Sequence, residues 1–259
     1  MNNKLVEIVD LSIQQIASIC DHTFLKTVDS FKGQKEGAVY LREEAYEGFL
    51  KEIIHIPKPY AVCVYPGDVK KAKEYLNEKD IKIASVIGFP NGNLYSTKHK
   101  IFETTIALEN GADEIDMVLN YELFKSGKTQ ETLDDITKVA NFVHKEGAIV
   151  KLILETSALN KKQIKSISEL ADKETDVDFI KTSTGFGKYG ATVENLKIMR
   201  ENFSRGIKIS GGVNTKNVGP LLSAAVERDD GHIDLNPMKI RIGESGLIKE
   251  LLINEQMKL

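Results

Sequence analysis

The sequence has no apolar run longer than about six residues, the longest being Tyr60 to Tyr65, whereas a bilayer-spanning helix needs roughly 18. No membrane partner is expected. Charge of one sign is also missing: 35 Lys and Arg stand against 38 Asp and Glu, a net of −3, which leaves no basic field for a phosphate backbone. Nucleic acid is therefore a poor partner. Cysteine is scarce, with Cys20 and Cys63 far apart and no CxxC, and the five histidines at 22, 55, 99, 144 and 232 form no HExxH or close pair. Neither a disulfide framework nor a metal site is expected. The opening Met1-Asn2-Asn3-Lys4-Leu5-Val6-Glu7 carries acid in its first turn and no following apolar core, unlike a secretory signal, so the expected location is cytoplasmic. No Gly/Ser linker, low-complexity tract or compositional break divides the chain, and 41% hydrophobic content suffices for one core over residues 1–259.

What is present is a repeating unit. Short runs rich in Val, Ile and Ala centre near Cys20, Val62, Ala84, Ile115, Val150, Ile180, Lys208 and Ile240, at a mean spacing of about 31 residues. Helix-like mixtures of polar and apolar residues lie between them, the pattern of parallel strands joined by crossover helices. Eight units of this size predict a single-domain α/β fold, a (β/α)8 barrel. An open doubly wound sheet would place a glycine-rich phosphate loop after the first strand rather than late in the chain. The longest connection, about 27–59, reads as decoration. It holds Ser30 to Gly37 and a helical stretch from about Leu41 to His55, closed by Pro57 and Pro59.

In such a barrel, reactive groups come from the carboxyl ends of several strands. The first run ends in Asp21-His22-Thr23; the fourth reads Asp113-Glu114-Ile115-Asp116-Met117-Val118; the sixth leads through Lys181 to Thr184 and Gly185; the seventh is Ile207-Lys208-Ile209-Ser210. Lys181 and Lys208 are the strongest candidates, because neighbouring strands lie about 4.8 Å apart and two inward lysines at one height repel each other. A fall from about 10.4 to about 7 would free half of one amine, a difference of roughly 4–5 kcal/mol, and would make it a nucleophile toward carbonyls. The alternative is two stems packed in the barrel with their heads reaching its mouth. Asp116 should face inward if Ile115 and Met117 face outward, as a general acid/base or as a buried ion-pair partner. Asp21 fits a cap or a functional carboxylate equally, and Thr23 and Thr184 are similarly open.

Late glycines give a second signal. Gly211-Gly212-Val213-Asn214-Thr215 follows the seventh run and Gly243-Glu244-Ser245-Gly246 the eighth, the two loops that form a phosphate cradle in many barrels. Ordinary turn chemistry is the alternative for each. Gly185-Phe186-Gly187-Lys188-Tyr189-Gly190 matches GxGxxG literally, but the region about 20 residues on is Lys208-Ile209-Ser210, without the acid a dinucleotide site needs. No cofactor is expected.

With these residues in view, the sequence resembles the deoxyribose-phosphate aldolase family. The resemblance runs in order through Asp21-His22-Thr23-Phe24-Leu25, Ala61 to Pro66, Gly88 to Gly92, Asp113 to Asp116, Lys151 to Thr156, Phe179 to Gly185 and Lys208 to Val213. It implies a metal-free, imine-forming lyase that cleaves 2-deoxyribose 5-phosphate to acetaldehyde and glyceraldehyde 3-phosphate. Small phosphosugars and aldehydes are the implied partners, with a homodimer as the assembly. It implies further that Lys181 forms the imine, that Lys208 lowers its pKa, that Asp116 relays protons, and that Asp21 and Thr23 serve the relay and the substrate hydroxyls. Thr184 and Gly185 are expected to contact substrate, with Gly211, Gly212, Gly243 and Ser245 in the implied cradle. Two positions depart from the family's pattern, Asn214 for a common Arg and Glu244 for a common Thr or Ala. Losing a cation and adding an acid should weaken phosphate binding unless Glu244 turns outward. Some members also end in a catalytic tyrosine, whereas this chain stops at Met257-Lys258-Leu259, so that proton transfer is expected to differ.

Overall fold

In the computed structural model, residues 5–34, 37–226 and 230–256 are described. The readings made on Met1 to Lys4 and on Met257 to Leu259 lie outside them. All eight anticipated runs form strands: β1 (Cys20–Thr23), β2 (Ala61–Val64), β3 (Lys82–Ile87), β4 (Glu114–Val118), β5 (Ile149–Ile153), β6 (Phe179–Lys181), β7 (Gly206–Ser210) and β8 (Ile240–Glu244). Each pairs in parallel with the next, and β8 closes on β1 with Ile242 opposite Cys20. The strands are short and rich in β-branched residues because both faces are covered, one by helices and one by the barrel interior.

Helices earn their places by their apolar stripes. Thr129–Lys145 buries Ile136, Val139, Ala140 and Val143, the three- and four-residue spacing of one face. Lys161–Glu174 buries Ile164, Ile167 and Ala171, and starts at a capping box in which Asn160 and Gln163 satisfy each other's backbone N–H groups. Among the described residues, no helix is long and apolar enough to cross a membrane.

Side-chain alternation sorts the strands. On β4, Ile115 and Met117 join the outer core under the helices, which turns Glu114 and Asp116 inward. The interior has two halves. Around β2 and β3 it is small and apolar, with Cys63, Ala84 and Val86 packed against Val118 and Ile153; around the remaining strands it is charged.

Two features differ from expectation. The decorating helix runs Ala38–Glu52 rather than Leu41 to His55. Its first turn closes early, Leu41 N–H donating to Gly37 O, and its end is cut by a tight turn in which His55 N–H reaches Glu52 O. A short antiparallel pair, Val6–Glu7 with His232–Ile233, stands apart from the barrel; strands of two residues leave too little periodicity to be read from sequence.

Gly206 sits opposite Phe179 in register, where an added Cβ would lie 2.3 Å from the buried ring. Gly206→Ala is expected to destabilise the fold by about 1–3 kcal/mol through overpacking. Urea unfolding checks this; an unchanged midpoint would show that the ring has room to move.

Candidate active site

The charged half of the interior is a continuous net. Asp116 lies at its centre: Oδ2 accepts from Lys181 Nζ at 2.8 Å and from Lys208 Nζ at 2.7 Å, while Oδ1 accepts from Lys151 Nζ at 2.8 Å. Asp21 accepts from Lys208 at 2.5 Å and pairs with Arg241. Glu114 joins Arg241 and Lys151, each at 2.5 Å. The register explains the grouping, since Lys181 stands beside Lys208, Asp116 beside Lys151 and Arg241 beside Lys208 on neighbouring strands.

All seven side chains are buried, so four cations face three carboxylates in a medium that penalises any unmatched charge. The net is one positive charge too many when fully ionised. Burial opposes the charge on every lysine, yet Lys151 and Lys208 end up above the ordinary lysine value because their carboxylates outweigh it. Lys181 ends up below. Burial is the main cause, the nearby Lys208 charge adds to it, and Asp116 only partly offsets both. Asp116 and Asp21 are held below the usual carboxylate range, because the attached cations overcome the cost of burial. Relief of the excess charge therefore falls on Lys181.

Lys181 is also the member of the net that reaches open space. It floors a cavity of about 670 Å³ at the carboxyl ends of the strands, whose walls include Thr23, Thr184, Gly185, Gly211, Gly212, Gly243 and Ser245. The anticipated residues thus gather in two storeys. Lys181, Lys208, Asp116 and Asp21 make the net, and the other seven line the cavity above it. Asp21 is no turn cap; its carboxylate is spent on Lys208 and Arg241. Thr184 presents no free hydroxyl, since its Oγ1 donates to Glu155 Oε2 at 2.5 Å. Glu155 holds a left-handed backbone, φ 52°, at the end of β5, and its other oxygen accepts from Ser157 at 2.6 Å. A Cβ at Gly187 would lie 2.5 Å from that carboxylate, and one at Gly190 would lie 2.0 Å from Gly211 O. The GxGxxG match reflects loops pressed together rather than a nucleotide turn.

Sequence reasoning missed Lys151, Glu114 and Arg241, although each shares the inward parity of a residue it did select. It missed the roles of His22 and Glu52 as well. Glu244 turns outward from the barrel interior, on the same face of β8 as Ile242, and is buried there with Oε1 2.6 Å from His22 Nδ1. His22 Nε2 lies 3.2 Å from Glu52 Oε1, and Glu52 Oε2 pairs with Lys249 at 2.5 Å. Burial works against a charged His22, but the hydrogen bonds it donates to Glu244 and Glu52 outweigh it and push its pKa up to about 9. Asn214 points into its own loop, donating to Gly212 O and accepting from Lys216 N–H.

A buried lysine whose pKa is pushed down, at the mouth of a closed (β/α)8 barrel, fits a class of enzymes that work on carbonyl carbon. Comparison narrows the class: residues 16–246 match the DeoC/LacD family aldolase model, and the chain belongs to that aldolase family. It is a lyase. A deoxyribose-phosphate aldolase from Thermococcus gammatolerans is 46% identical over 77% of this chain and 84% of its own length. One from Aciduliprofundum boonei is 42% identical over 84% and 93%. Among solved structures, the aldolase QR15 superposes with a TM-score of 0.73 at 31% identity, covering 94% of this chain and 98% of that one. The fold is shared too with a tetrameric deoxyribose phosphate aldolase from Aeropyrum pernix, TM-score 0.73 at 22% identity, covering 95% and 93%.

The His22 shift fixes a sign. A histidine whose folded pKa is about 9 and whose unfolded value is about 6.5 contributes stability that is complete below about pH 6.5 and lost as pH rises through 9, at most about 3 kcal/mol. Thermal unfolding from pH 6 to 9.5 should show that loss in the wild type and a flatter profile in His22→Gln. Parallel profiles would mean that His22 is neutral in the folded protein.

Proposed function

We propose that the chain is a metal-free, imine-forming aldolase that cleaves 2-deoxy-D-ribose 5-phosphate to acetaldehyde and D-glyceraldehyde 3-phosphate, in the breakdown of deoxyribose phosphate. The observation that carries this reading is the pairing of Lys181 with Asp116, itself bonded to Lys208, on the floor of a cavity walled by two glycine loops. Lys181 Nζ adds to C1 of the open-chain sugar, and loss of water from the carbinolamine leaves a protonated imine. That cation is an electron sink. Removal of the proton from the C3 hydroxyl then breaks the bond from C3 to the neighbouring carbon, with the electron pair moving into an enamine. Acetaldehyde carries two carbons, so this bond is C2–C3. Protonation of the enamine at C2 and hydrolysis of the imine release acetaldehyde and restore Lys181. Asp116, Lys208 and a water are the proposed relay for these protons, with Asp21 holding Lys208 in place.

Thr23, Thr184, Gly185, Gly211, Gly212, Gly243 and Ser245 are the proposed substrate contacts, mostly through backbone N–H groups, since the loops of Gly211 and Gly243 are the ones barrels use for anions. The proposed assembly is a homodimer and the proposed location cytoplasmic. The family resemblance supports the first, and the lack of an apolar spanning helix among the described residues is consistent with the second.

Borohydride reduction in the presence of 2-deoxyribose 5-phosphate should leave a stable adduct on the peptide carrying Lys181, absent in Lys181→Arg. Folded protein that yields no adduct while still binding the phosphate ester would contradict imine chemistry.

A further inference from the structure

Among the described residues, Asp80 and Glu155 are the non-glycine positions with a left-handed backbone. Asp80 lies on an exposed turn, where a short polar side chain is an ordinary occupant. Glu155 is neither short nor exposed. It is 4% accessible, with φ 52° between β5 and the single helical turn Thr156–Ala158. Glycine or asparagine would hold that backbone at lower cost. A long side chain kept there points to a task for its far end.

The carboxylate meets neutral donors. Oε2 accepts from Thr184 N–H at 3.0 Å and from Thr184 Oγ1 at 2.5 Å, and Oε1 accepts from Ser157 Oγ at 2.6 Å. Thr184 Oγ1 accepts in turn from Phe186 N–H at 3.1 Å, and Ser157 Oγ from Lys188 N–H at 3.2 Å. One carboxylate therefore holds both ends of the turn from 184 to 188. The middle of that turn is pressed on the same group, since a Cβ at Gly187 would lie 2.5 Å from Oε1. Its inner side, Thr184, Gly185 and Phe186, walls the cavity above Lys181, whereas Glu155 does not line it. Beyond the turn, Ala191 N–H donates to Gly211 O at 3.0 Å, which carries the constraint to the next glycine loop.

We propose that Glu155 is a positioning residue for the aldol cleavage: through Thr184 and Ser157 it fixes the 184–186 wall against which the sugar beyond Lys181 is seated. The strained backbone is retained because a side chain of this length is needed to reach that wall from the end of β5. The proposal rests on the aldolase reading above and adds to it a residue outside the cavity.

The test measures kcat and KM for 2-deoxyribose 5-phosphate, read as acetaldehyde release, beside reductive trapping of acetaldehyde on Lys181, in the wild type, Glu155→Asn and Glu155→Gln. Asparagine accepts the left-handed backbone but is one methylene short of Thr184, so KM should rise about tenfold or more with kcat within about threefold. Trapping of acetaldehyde, whose two carbons need no wall beyond Lys181, should keep the wild-type rate and pH dependence. Glutamine has the full length and an oxygen for Thr184, and because the donors are neutral it should hold KM within about threefold of the wild type. Should Glu155→Asn fail to fold, Glu155→Gly, which takes the same backbone freely, carries the comparison. A wild-type KM in Glu155→Asn, a Glu155→Gln no better than Glu155→Asn, or a loss of acetaldehyde trapping in step with the rise in KM overturns the proposal. A wild type that binds the ester but neither forms an adduct nor releases acetaldehyde sinks the aldolase reading as well. Wild-type cleavage with KM unmoved in the variants sinks this proposal alone.

Discussion

A buried charge count that does not balance governs this protein. Arg241, Lys151, Lys181 and Lys208 share the barrel interior with Asp21, Glu114 and Asp116, and an interior of low polarizability makes the surplus cation costly. Three of the four cations are locked by two or more carboxylates each. Among the described residues Lys181 pairs with Asp116 alone, so the proton that is easiest to lose is the one on the amine that opens to the cavity. The net that lowers the pKa of Lys181 also joins six of the eight strands around a common centre.

Other parts of the structure serve that centre. The apolar half, Cys63, Ala84 and Val86, flanks the net with nonpolar atoms, a surrounding of low polarity that strengthens its interactions. Above it, Glu155 in a strained left-handed conformation ties Thr184 and Ser157 together. This fixes the loop that follows Lys181. Gly211 and Gly243, at the ends of β7 and β8, border the open end of the cavity, and the ionic chain from Glu244 through His22 and Glu52 to Lys249 ties β8 and β1 to the helices outside them.

The fold was legible because eight strands buried on both faces print a plain signal, short β-branched runs at one spacing. Lys181, Lys208 and Asp116 were legible for the opposite reason, as charges where strand sequence favours apolar residues. Lys151, Glu114 and Arg241 carried the same mark, two of them in register with Asp116 and Lys208, and strand sequence alone does not say which inward charges join one net. The fate of Glu244 was hidden because its partner, His22, is 222 residues away, on a strand that becomes its neighbour only when the barrel closes. The decorating helix was misplaced by three residues at each end, since its limits depend on backbone turns at Gly37 and Glu52 that no side-chain cap announces.

The measurement closest to the central claim is the rate of reductive trapping of acetaldehyde on the 181 side chain as a function of pH, in the wild type and in Lys208→Met. Removing the Lys208 charge takes away a cation that disfavours ionised Lys181 and leaves Asp116 with one fewer competitor. The account predicts that the rise in trapping moves to higher pH in the variant, by about one pH unit or more. Coincident profiles in two folded proteins would show that Lys181 owes its reactivity to burial alone and not to the imbalance of charge around Asp116.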